Sequence, residues 1–359
     1  MKKIGFYVIL LLVIYMDKKV IGIGMSGGVD SSAAAYLLKS QGYDVIGITM
    51  HLIDNPKSID SINDAKRVCE ELGIKHVVLD LRDKFKSIVI KNFIDSYKSG
   101  VTPNPCCVCN KYFKFGLFYE EAVKLGCDYI STGHYAKIVD GKLYRADVLE
   151  KDQSYFLWGI NKEVLNKVIL PLQDYNDKEK VRELALKAGI SVSNKKDSQE
   201  ICFIPNDDYK VFLDSNLDIL PKHGDICLKD GTVLGKHNGL IYYTVGQRKG
   251  LNISYKEPLY VIKLDVENNR LIVGSNDDLF GYDLVAKEVN LLVDNLPDEL
   301  YAKVRSRGQL KKCVVTFLDD NKMQVKLLEN ERAITLGQSV VLYDKNNCCL
   351  GGGIIEEVF

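Results

Sequence analysis

The chain has 359 residues, of which 46% are hydrophobic. This length and this composition allow two or three globular domains with their own cores, and they exclude a fibre or a disordered tail. The 48 basic and 48 acidic residues balance, so a nucleic-acid partner would be bound by local patches rather than by net charge.

The first stretch of the chain is apolar. In "MKKIGFYVILLLVIYM" two lysines precede 13 apolar residues, as in the first two regions of a signal peptide. A helix of that length spans roughly 20 Å, short of the ~30 Å hydrocarbon core. No small-residue cleavage site follows. We therefore expect translation to begin at Met16, so that residues 1–15 would not be part of the protein. The alternative is a membrane-associating extension. If residues 1–15 are not part of the protein, we expect no membrane partner.

Short β-rich runs alternate with amphipathic segments from Val20 to about Val139. The predicted strands are "VIGIGM", "DVIGITM", "KHVVLDL" and "CDYISTGHYAKIV", and the predicted helices are Ser31–Gln41, Ser61–Leu72, Phe85–Gly100 and Phe115–Leu125. This alternation is typical of an α/β fold with a doubly wound, mostly parallel sheet, whose ligands bind at the carboxyl ends of the strands.

The pattern changes in the second half of the chain. After a predicted helix near Asp177–Ala188, short strands separated by Gly, Asn and Asp begin at about Tyr209. We therefore predict an α/β domain over 16–208, a small central β-rich domain over 209–275 and a C-terminal β-barrel over 276–359.

The first turn of the α/β domain, "MSGGVDSS", lies between a strand and a helix. Gly27 and Gly28 allow close approach of a ligand, and Ser26, Ser31 and Ser32 offer hydroxyls at a helix start, which suits a phosphate. A glycine-rich turn with a serine N-cap is the plain structural alternative. The absence of GK[ST] and of GxGxxG excludes a Walker A loop and a dinucleotide fingerprint.

The ten cysteines are irregularly spaced, which favours a reducing, cytoplasmic setting over a secreted disulfide framework. In "TPNPCCVCNKYFKFG" two prolines predict an extended turn before an aromatic, basic helix. Three interpretations stay open: a metal or iron–sulfur site that uses Cys106 and Cys109, buried structural cysteines, or a reactive thiol. The metal site would need a second cysteine pair, which the spacing does not offer. In the third case a helix N-terminus, Lys111 and Lys114 would lower the thiol pKa from about 8.5.

A second thiol, Cys202, lies in "KKDSQEICFIP", although taken alone it is typical of a core cysteine. "SGGVDSS" resembles the signature of the PP-loop ATP pyrophosphatases, which split ATP into AMP and pyrophosphate to adenylate a carbonyl oxygen. From roughly Lys18 to Phe359 the chain resembles the tRNA-specific 2-thiouridylases. The strings that carry this resemblance are "GMSGGVDSS", "TPNPC..CNKYFKFG", "STGHYA", "KDQSYFL", "DSQEICFIP", "YTVGQRKGL" and "LGGGII".

The resemblance implies a PP-loop catalytic domain that uses ATP, with Mg²⁺, to replace O2 of the wobble uridine of tRNA with sulfur. Cys109 matches the first catalytic cysteine, and Cys202 matches the cysteine that receives persulfide sulfur from a carrier protein. The implied ATP-binding positions are Gly24, Met25, Ser26, Gly27, Gly28, Val29, Asp30, Ser31, Met50 and Gly133. The implied tRNA-binding positions are Asn104, Pro105, Cys106, His134, Lys151, Asp152, Gln153, Arg305, Ser306 and Gln338. No metal ligand is implied, and we expect Cys106 and Cys107 to be non-essential thiols.

The resemblance also places tRNA contacts in the C-terminal part of the chain. "KVRSRGQLKK" (303–312) has five basic residues and no acid, as phosphate contacts require, but a solvated edge strand has the same composition. Arg248 and Lys249 form a second, weaker patch. Members of the family commonly have an aromatic residue where this chain has Ser306 and a proline where it has Leu336.

Two other classes of protein stay open. One is another PP-loop sulfurtransferase or ligase, which should lack the paired strings "PNPC..CN" and "ICFIP". The other is an inactive RNA-binding or persulfide-carrying homologue, against which the intact Asp30, Cys109 and Cys202 argue.

Overall fold

A computed structural model describes residues 18–175, 177–195, 201–217 and 221–359. The predictions for residues 1–15 and for Met16, and part of the string before Cys202, lie outside these ranges. Within them, no helix combines the length and the apolar character that crossing a bilayer would need.

The first domain is built on a five-stranded parallel sheet, as the alternating pattern predicted. Its strand order is β3-β2-β1-β4-β7, and β5 pairs with β6 in a separate hairpin. The strands are β1 (Val20–Gly24), β2 (Asp44–His51), β3 (Lys75–Asp80), β4 (Tyr129–Ser131), β5 (Lys137–Val139), β6 (Lys142–Tyr144) and β7 (Val168–Ile169). The predicted strand "CDYISTGHYAKIV" is therefore wrong as one element, because it divides into β4, a loop and β5.

Helices cover both faces of this sheet. They are α1 (Val29–Ser40), α2 (Pro56–Glu71), α3 (Arg82–Phe85), α4 (Lys91–Lys98), α5 (Pro105–Cys109), α6 (Phe118–Lys124), α7 (Lys162–Leu165), α8 (Lys178–Lys187) and α9 (Tyr209–Asp214). π-Helical stretches at Lys86–Ile90 and Asn110–Leu117 join α3 to α4 and α5 to α6, and 3₁₀ turns occupy Ser154–Phe156, Pro205–Asp207, Leu240–Tyr242 and Asp277–Leu279. The helix predicted at Phe115–Leu125 thus begins earlier, at Pro105.

The central domain is a small sheet with its own core. Its strands are β8 (Gly224–Cys227), β9 (Val233–His237), β10 (Tyr260–Asp265) and β11 (Arg270–Gly274), in the order β10-β11-β8-β9. Ile226, Val261, Leu271 and Val273 are fully buried at its centre.

Six strands close into a barrel at the end of the chain, in the order β12-β15-β14-β13-β16-β17. They are β12 (Phe280–Leu291), β13 (Leu300–Lys303), β14 (Lys311–Leu318), β15 (Lys322–Arg332), β16 (Ser339–Tyr343) and β17 (Cys349–Val358). The predicted fold class, an α/β domain followed by a β-rich domain and a β-barrel, is confirmed.

The barrel packs directly on the α/β domain. Tyr155 Oη donates a hydrogen bond to the Ser339 carbonyl at 2.8 Å, and Trp158 Nε1 donates to Ser339 Oγ at 2.9 Å. Both rings and Tyr343 of the barrel belong to one buried apolar cluster. The start of β16 is therefore fixed against the domain that carries the cysteine segment.

Candidate active site

The glycine-rich turn follows β1 at the centre of the sheet, between β2 and β4. Ser31 Oγ accepts a hydrogen bond from the Ser26 backbone N–H at 3.2 Å. Gly27 has φ of 67°, and a Cβ there would lie 2.3 Å from the Ser61 carbonyl oxygen. Gly28 is the N-cap of α1, and no side chain caps the first backbone N–H groups of that helix. This loop therefore suits a phosphate group.

Asp30, in the first turn of α1, is oriented from two sides. Its Oδ1 accepts a hydrogen bond from Tyr135 Oη at 2.8 Å, and its Oδ2 accepts one from Lys178 Nζ at 3.2 Å. Lys195 Nζ donates to the Gly27 carbonyl at 3.0 Å. These three partners of the loop, Tyr135, Lys178 and Lys195, were not predicted from the sequence. Tyr135 was recognisable within "STGHYA", whereas no local signal marked the two lysines.

Neighbouring strand ends surround this turn. Gly133 follows β4 and lies against α1, where a Cβ would approach the Ser31 backbone nitrogen to 3.0 Å. Met50 is half-buried near the carboxyl end of β2. Met25 N–H donates to the Ile48 carbonyl at 2.8 Å, which extends the pairing of β1 with β2 into the turn. The ten predicted ATP-binding positions thus lie in segments that begin at β1, β2 and β4.

The cysteine segment is a helix rather than the extended turn that its prolines predicted. Asn104 is the N-cap of α5, where its Oδ1 accepts from the Cys107 N–H at 3.3 Å, and Pro105 occupies the first helical position. Cys107 is buried, and its thiol lies 3.6 Å from Ser339 Oγ. Asn followed by Pro is a sequence signal for the start of a helix, and the prediction of an extended turn did not take it into account.

The fold brings Cys109 and Cys202 to one aromatic cluster. Phe113 follows Cys109 on the same helix, and Phe203 adjoins Cys202. Both rings pack edge-on against Phe85, with centroid distances of 5.4 and 5.8 Å. Cys109 is buried and Cys202 is exposed. In the described ranges, no group of three His, Cys, Asp or Glu side chains could hold a metal ion.

The expectation of a lowered thiol pKa is wrong for the resting protein. Burial raises the pKa of Cys106, of Cys202 and of Cys109, the last to about 12. The charge of Lys114 lowers all three pKa values, but by less. Cys106 and Cys202 expose surface to solvent, yet the protein around them still disfavours their thiolates. Lys111 lies elsewhere, 3.7 Å from a Glu288 oxygen.

His134 is buried and directly follows Gly133, which lies against Ser31 of the phosphate loop. Its Nδ1 lies 2.7 Å from Thr132 Oγ1, and its Nε2 lies 3.4 Å from Lys114 Nζ. Burial, helped by the charge of Lys114, lowers the pKa of His134 well below 6.5. The imidazole is therefore neutral at physiological pH.

The segment Lys151–Gln153 is tied to the strand-end loop after β4. Gln153 exchanges two hydrogen bonds of 2.9 Å with the backbone of Tyr135. The Asp152 side chain is fully buried and accepts hydrogen bonds from two backbone N–H groups and from Arg145 Nε, each at 3.1 Å. In this arrangement a contact of Asp152 with tRNA would have to use its backbone.

Gln338 of the barrel lies against the cysteine segment. Its Nε2 donates to the carbonyls of Thr102 and Pro103 at 3.0 and 3.2 Å, just before the N-cap Asn104. The Thr102 N–H in turn donates to the Leu336 carbonyl at 3.0 Å. Of the predicted tRNA-binding positions, Gln338 is thus brought next to the target-base segment.

The basic stretch 303–312 offers less free charge than its composition predicted. Lys303 is buried, and Arg305 pairs with Glu331 at 2.8 Å. Lys311 and Lys312 also pair with glutamates, at 3.4 and 2.8 Å. These acids come from outside the stretch, so the local sequence could not show them. Ser306 directly follows Arg305, and Arg248 and Lys249 are exposed.

A phosphate-binding turn on a parallel sheet, two cysteine segments that meet at one aromatic cluster and an attached barrel together suit a nucleotide-binding enzyme that carries thiols. The chain matches three family descriptions in order: "tRNA methyl transferase HUP domain" over 18–206, "tRNA methyl transferase PRC-barrel domain" over 210–275 and "Aminomethyltransferase beta-barrel domain" over 282–355.

Curated relatives match nearly the whole chain. It is 47% identical to "tRNA-specific 2-thiouridylase MnmA 1" of Fusobacterium nucleatum, covering 94% of this chain and 93% of that protein. It is 44% identical to "tRNA-specific 2-thiouridylase MnmA" of Clostridioides difficile, covering 96% and 99%. The chain belongs to the tRNA-specific 2-thiouridylase family, as its strings predicted.

Proposed function

We propose that this protein thiolates tRNA, using ATP to activate O2 of the wobble uridine and a persulfide on Cys202 as the sulfur source. The observation that carries the proposal is the convergence of Cys109 and Cys202 on one aromatic cluster. The names of the relatives support thiolation. The family descriptions name tRNA methyl transfer, whereas the relatives that match nearly the whole chain are named 2-thiouridylases, so the proposal follows the relatives.

The first half of the reaction is adenylation. The C2 carbonyl of uridine is a poor electrophile with oxide as its leaving group, so ATP converts O2 into an AMP ester and releases pyrophosphate. Ser26, Gly27, Gly28, Asp30 and Ser31 would bind the pyrophosphate portion, with Met50 and Gly133 nearer the nucleoside.

Mg²⁺ fits the carboxylate of Asp30, which lies in the first turn of α1 beside this loop. Asp30 keeps a partly exposed side chain, and Mg²⁺ bound to ATP commonly needs only one or two protein carboxylates. Asp30 would hold the ion, which when bound neutralises charge on the pyrophosphate. Tyr135 and Lys178 would keep the carboxylate in place.

The second half is sulfur transfer. The terminal sulfur of the Cys202 persulfide attacks C2 and AMP leaves with the C–O bond electrons. The Cys109 thiolate then attacks Sγ of Cys202. This breaks the bond to the transferred sulfur, which leaves as the thiocarbonyl of the product, and the two cysteines form a disulfide. A thiol reductant must restore both thiols before the next turnover.

The tRNA and the sulfur carrier would approach from the side where Cys202 is exposed. We propose that Asn104, Pro105 and Cys106 contact the flipped target base and that His134 lies beside it. Lys151, Asp152, Gln153, Arg305 and Ser306 remain our proposed tRNA contacts. Gln338, whose amide donates to the Thr102 and Pro103 carbonyls, would instead position the target-base segment. We also propose a cytoplasmic location, which the irregular spacing of the ten cysteines supports.

The test is a thiolation assay with the chain from Met16, ATP, Mg²⁺, a persulfide source and unmodified tRNA, followed by digestion and mass spectrometry. We expect 2-thiouridine with the wild type and none with Cys202→Ser or Cys109→Ser. Cys313→Ser, which alters a buried thiol in the barrel, is the matched control and should retain activity.

Other outcomes identify the alternatives. AMP formation without 2-thiouridine would show that adenylation is right and the acceptor is wrong, as in another PP-loop enzyme. Binding of tRNA without AMP formation would indicate an inactive RNA-binding homologue.

A further inference from the structure

A π-helical stretch connects the cysteine helix to α6. It covers Asn110–Leu117 and begins directly after Cys109. In a regular α-helix a residue five positions on points well away from the first, at ~140° around the axis. In a π-helix the hydrogen bonds join residues i and i+5, which places Lys114 over Cys109. Such stretches are rare and occur often at functional sites.

The two lysines of this stretch have different surroundings. Lys111 lies 3.7 Å from Glu288 and also above the Tyr112 ring, at 5.1 Å from its centroid. Lys114 Nζ instead lies 3.4 Å from His134 Nε2. Lys111 is therefore a natural control for any role of Lys114.

The neutral imidazole of His134 accepts a hydrogen bond from the Lys114 ammonium and adds no charge of its own. An ammonium only donates, so Nε2 of the neutral ring is the acceptor and Nδ1 carries the proton. Nδ1 can then donate to Thr132 Oγ1 at 2.7 Å. This tautomer is assigned from the hydrogen-bond pattern.

The charge of Lys114 reaches the whole thiol cluster. It favours the thiolate of Cys106, of Cys109 and of Cys202 against the effect of burial. Among the described residues, the other groups that act on these thiols are the neighbouring cysteines, which oppose ionisation, and the Cys202 backbone and Lys57, which favour it at Cys202. His134 is neutral and adds no charge.

We propose that Lys114 is the electrostatic stabiliser of sulfur transfer, with its ammonium fixed between His134 and the cluster of Cys106, Cys109 and Cys202. Negative charge lies on sulfur twice in the reaction, first on the terminal sulfur of the Cys202 persulfide and then on the attacking Cys109. Both sulfurs are in surroundings that disfavour charge, so a fixed cation lowers the energy of both steps. This inference rests on the proposed function for its substrate, but the ionisation of the thiols can be measured without tRNA.

The experiment compares wild type, Lys114→Met, Lys114→Arg and Lys111→Met. Each is alkylated with iodoacetamide from pH 7 to pH 10, and the peptides carrying Cys109 and Cys202 are quantified by mass spectrometry. We expect Lys114→Met to react about tenfold more slowly at each pH, as for a rise of about one pKa unit. Lys114→Arg should restore most of the rate, and Lys111→Met should match the wild type.

Single-turnover sulfur transfer from persulfidated Cys202 should follow the same order. A Lys114→Met profile that coincides with the wild type, with circular dichroism unchanged, would overturn the proposal. So would a Lys114→Arg variant as slow as Lys114→Met, since only the shape of the lysine would then matter. A wild type that makes no 2-thiouridine but shows the expected alkylation order would refute the proposed function and leave the Lys114 effect in place.

Discussion

The phosphate loop and the thiol cluster differ in how much of each is local in the sequence. The loop is one continuous segment, in which the hydroxyls of Ser26 and Ser31 form a hydrogen bond and Gly27 makes the turn. The thiol cluster joins α5 to the segment after α8 through the ring of Phe85. A short string thus specifies the geometry of the first site, whereas the environment of the second is created only by folding.

The largest effect should come from the most local feature. Gly27→Ala places a Cβ 2.3 Å from the Ser61 carbonyl oxygen on a backbone with φ of 67°, so the loop must shift. We expect a loss of AMP formation of about a hundredfold, since small displacements of a reacting group have costs of that order. A tRNA-dependent AMP assay measures it.

Gly42→Ala is the control for backbone strain alone. Gly42 has φ of 90°, but a Cβ there meets nothing within 4 Å. It should lower thermal stability modestly, by about 1–2 kcal/mol, and leave AMP formation close to wild type. Equal loss of activity in both variants would show that crowding at Ser61 is irrelevant.

The next effect concerns the non-local site. Burial raises the pKa of Cys109 to about 12, so at pH 7–9 the thiol is neutral and its reactive thiolate increases with pH. Alkylation of Cys109 should accelerate about tenfold per pH unit, or about a hundredfold from pH 7 to pH 9. Peptide mass spectrometry after quenching measures the rate. A plateau near pH 8 would contradict this and would support the lowered pKa that the sequence predicted.

A third effect tests the link between the strand-end loop and Asp30. Tyr135→Phe removes the 2.8 Å hydrogen bond to Asp30 Oδ1 but keeps the ring. A hydrogen bond to a charged group contributes about 1.5–3 kcal/mol, so AMP formation should fall roughly tenfold or more. Tyr129→Phe, in β4, is the matched control. An unchanged rate would mean that Lys178 alone positions the carboxylate.

The sequence predicted the sheet, the closed barrel and the family, because strand and helix periodicity and the glycine turn are local properties. It did not predict the ionisation of the thiols, since burial of Cys109 depends on Phe85 and Phe203, which come from distant segments. It also overestimated the basic stretch 303–312, whose partners Glu299, Glu329 and Glu331 lie on other strands or loops. The local charge and the burial of a side chain depend on residues that are distant in sequence and meet only in the folded chain, so a short sequence segment does not predict them.

The smallest expected effect concerns Gln338, and it distinguishes positioning of the cysteine segment from direct binding of tRNA. Its amide donates to the Thr102 and Pro103 carbonyls, so it would position the cysteine segment rather than bind tRNA through that amide. Two neutral hydrogen bonds contribute about 1 kcal/mol each, and Gln338→Ala should slow thiolation about five- to thirtyfold at saturating tRNA. The dissociation constant for tRNA should change less than about twofold, because truncation then removes no phosphate or base contact. Weaker tRNA binding with a normal saturated rate would instead return Gln338 to the tRNA-binding surface.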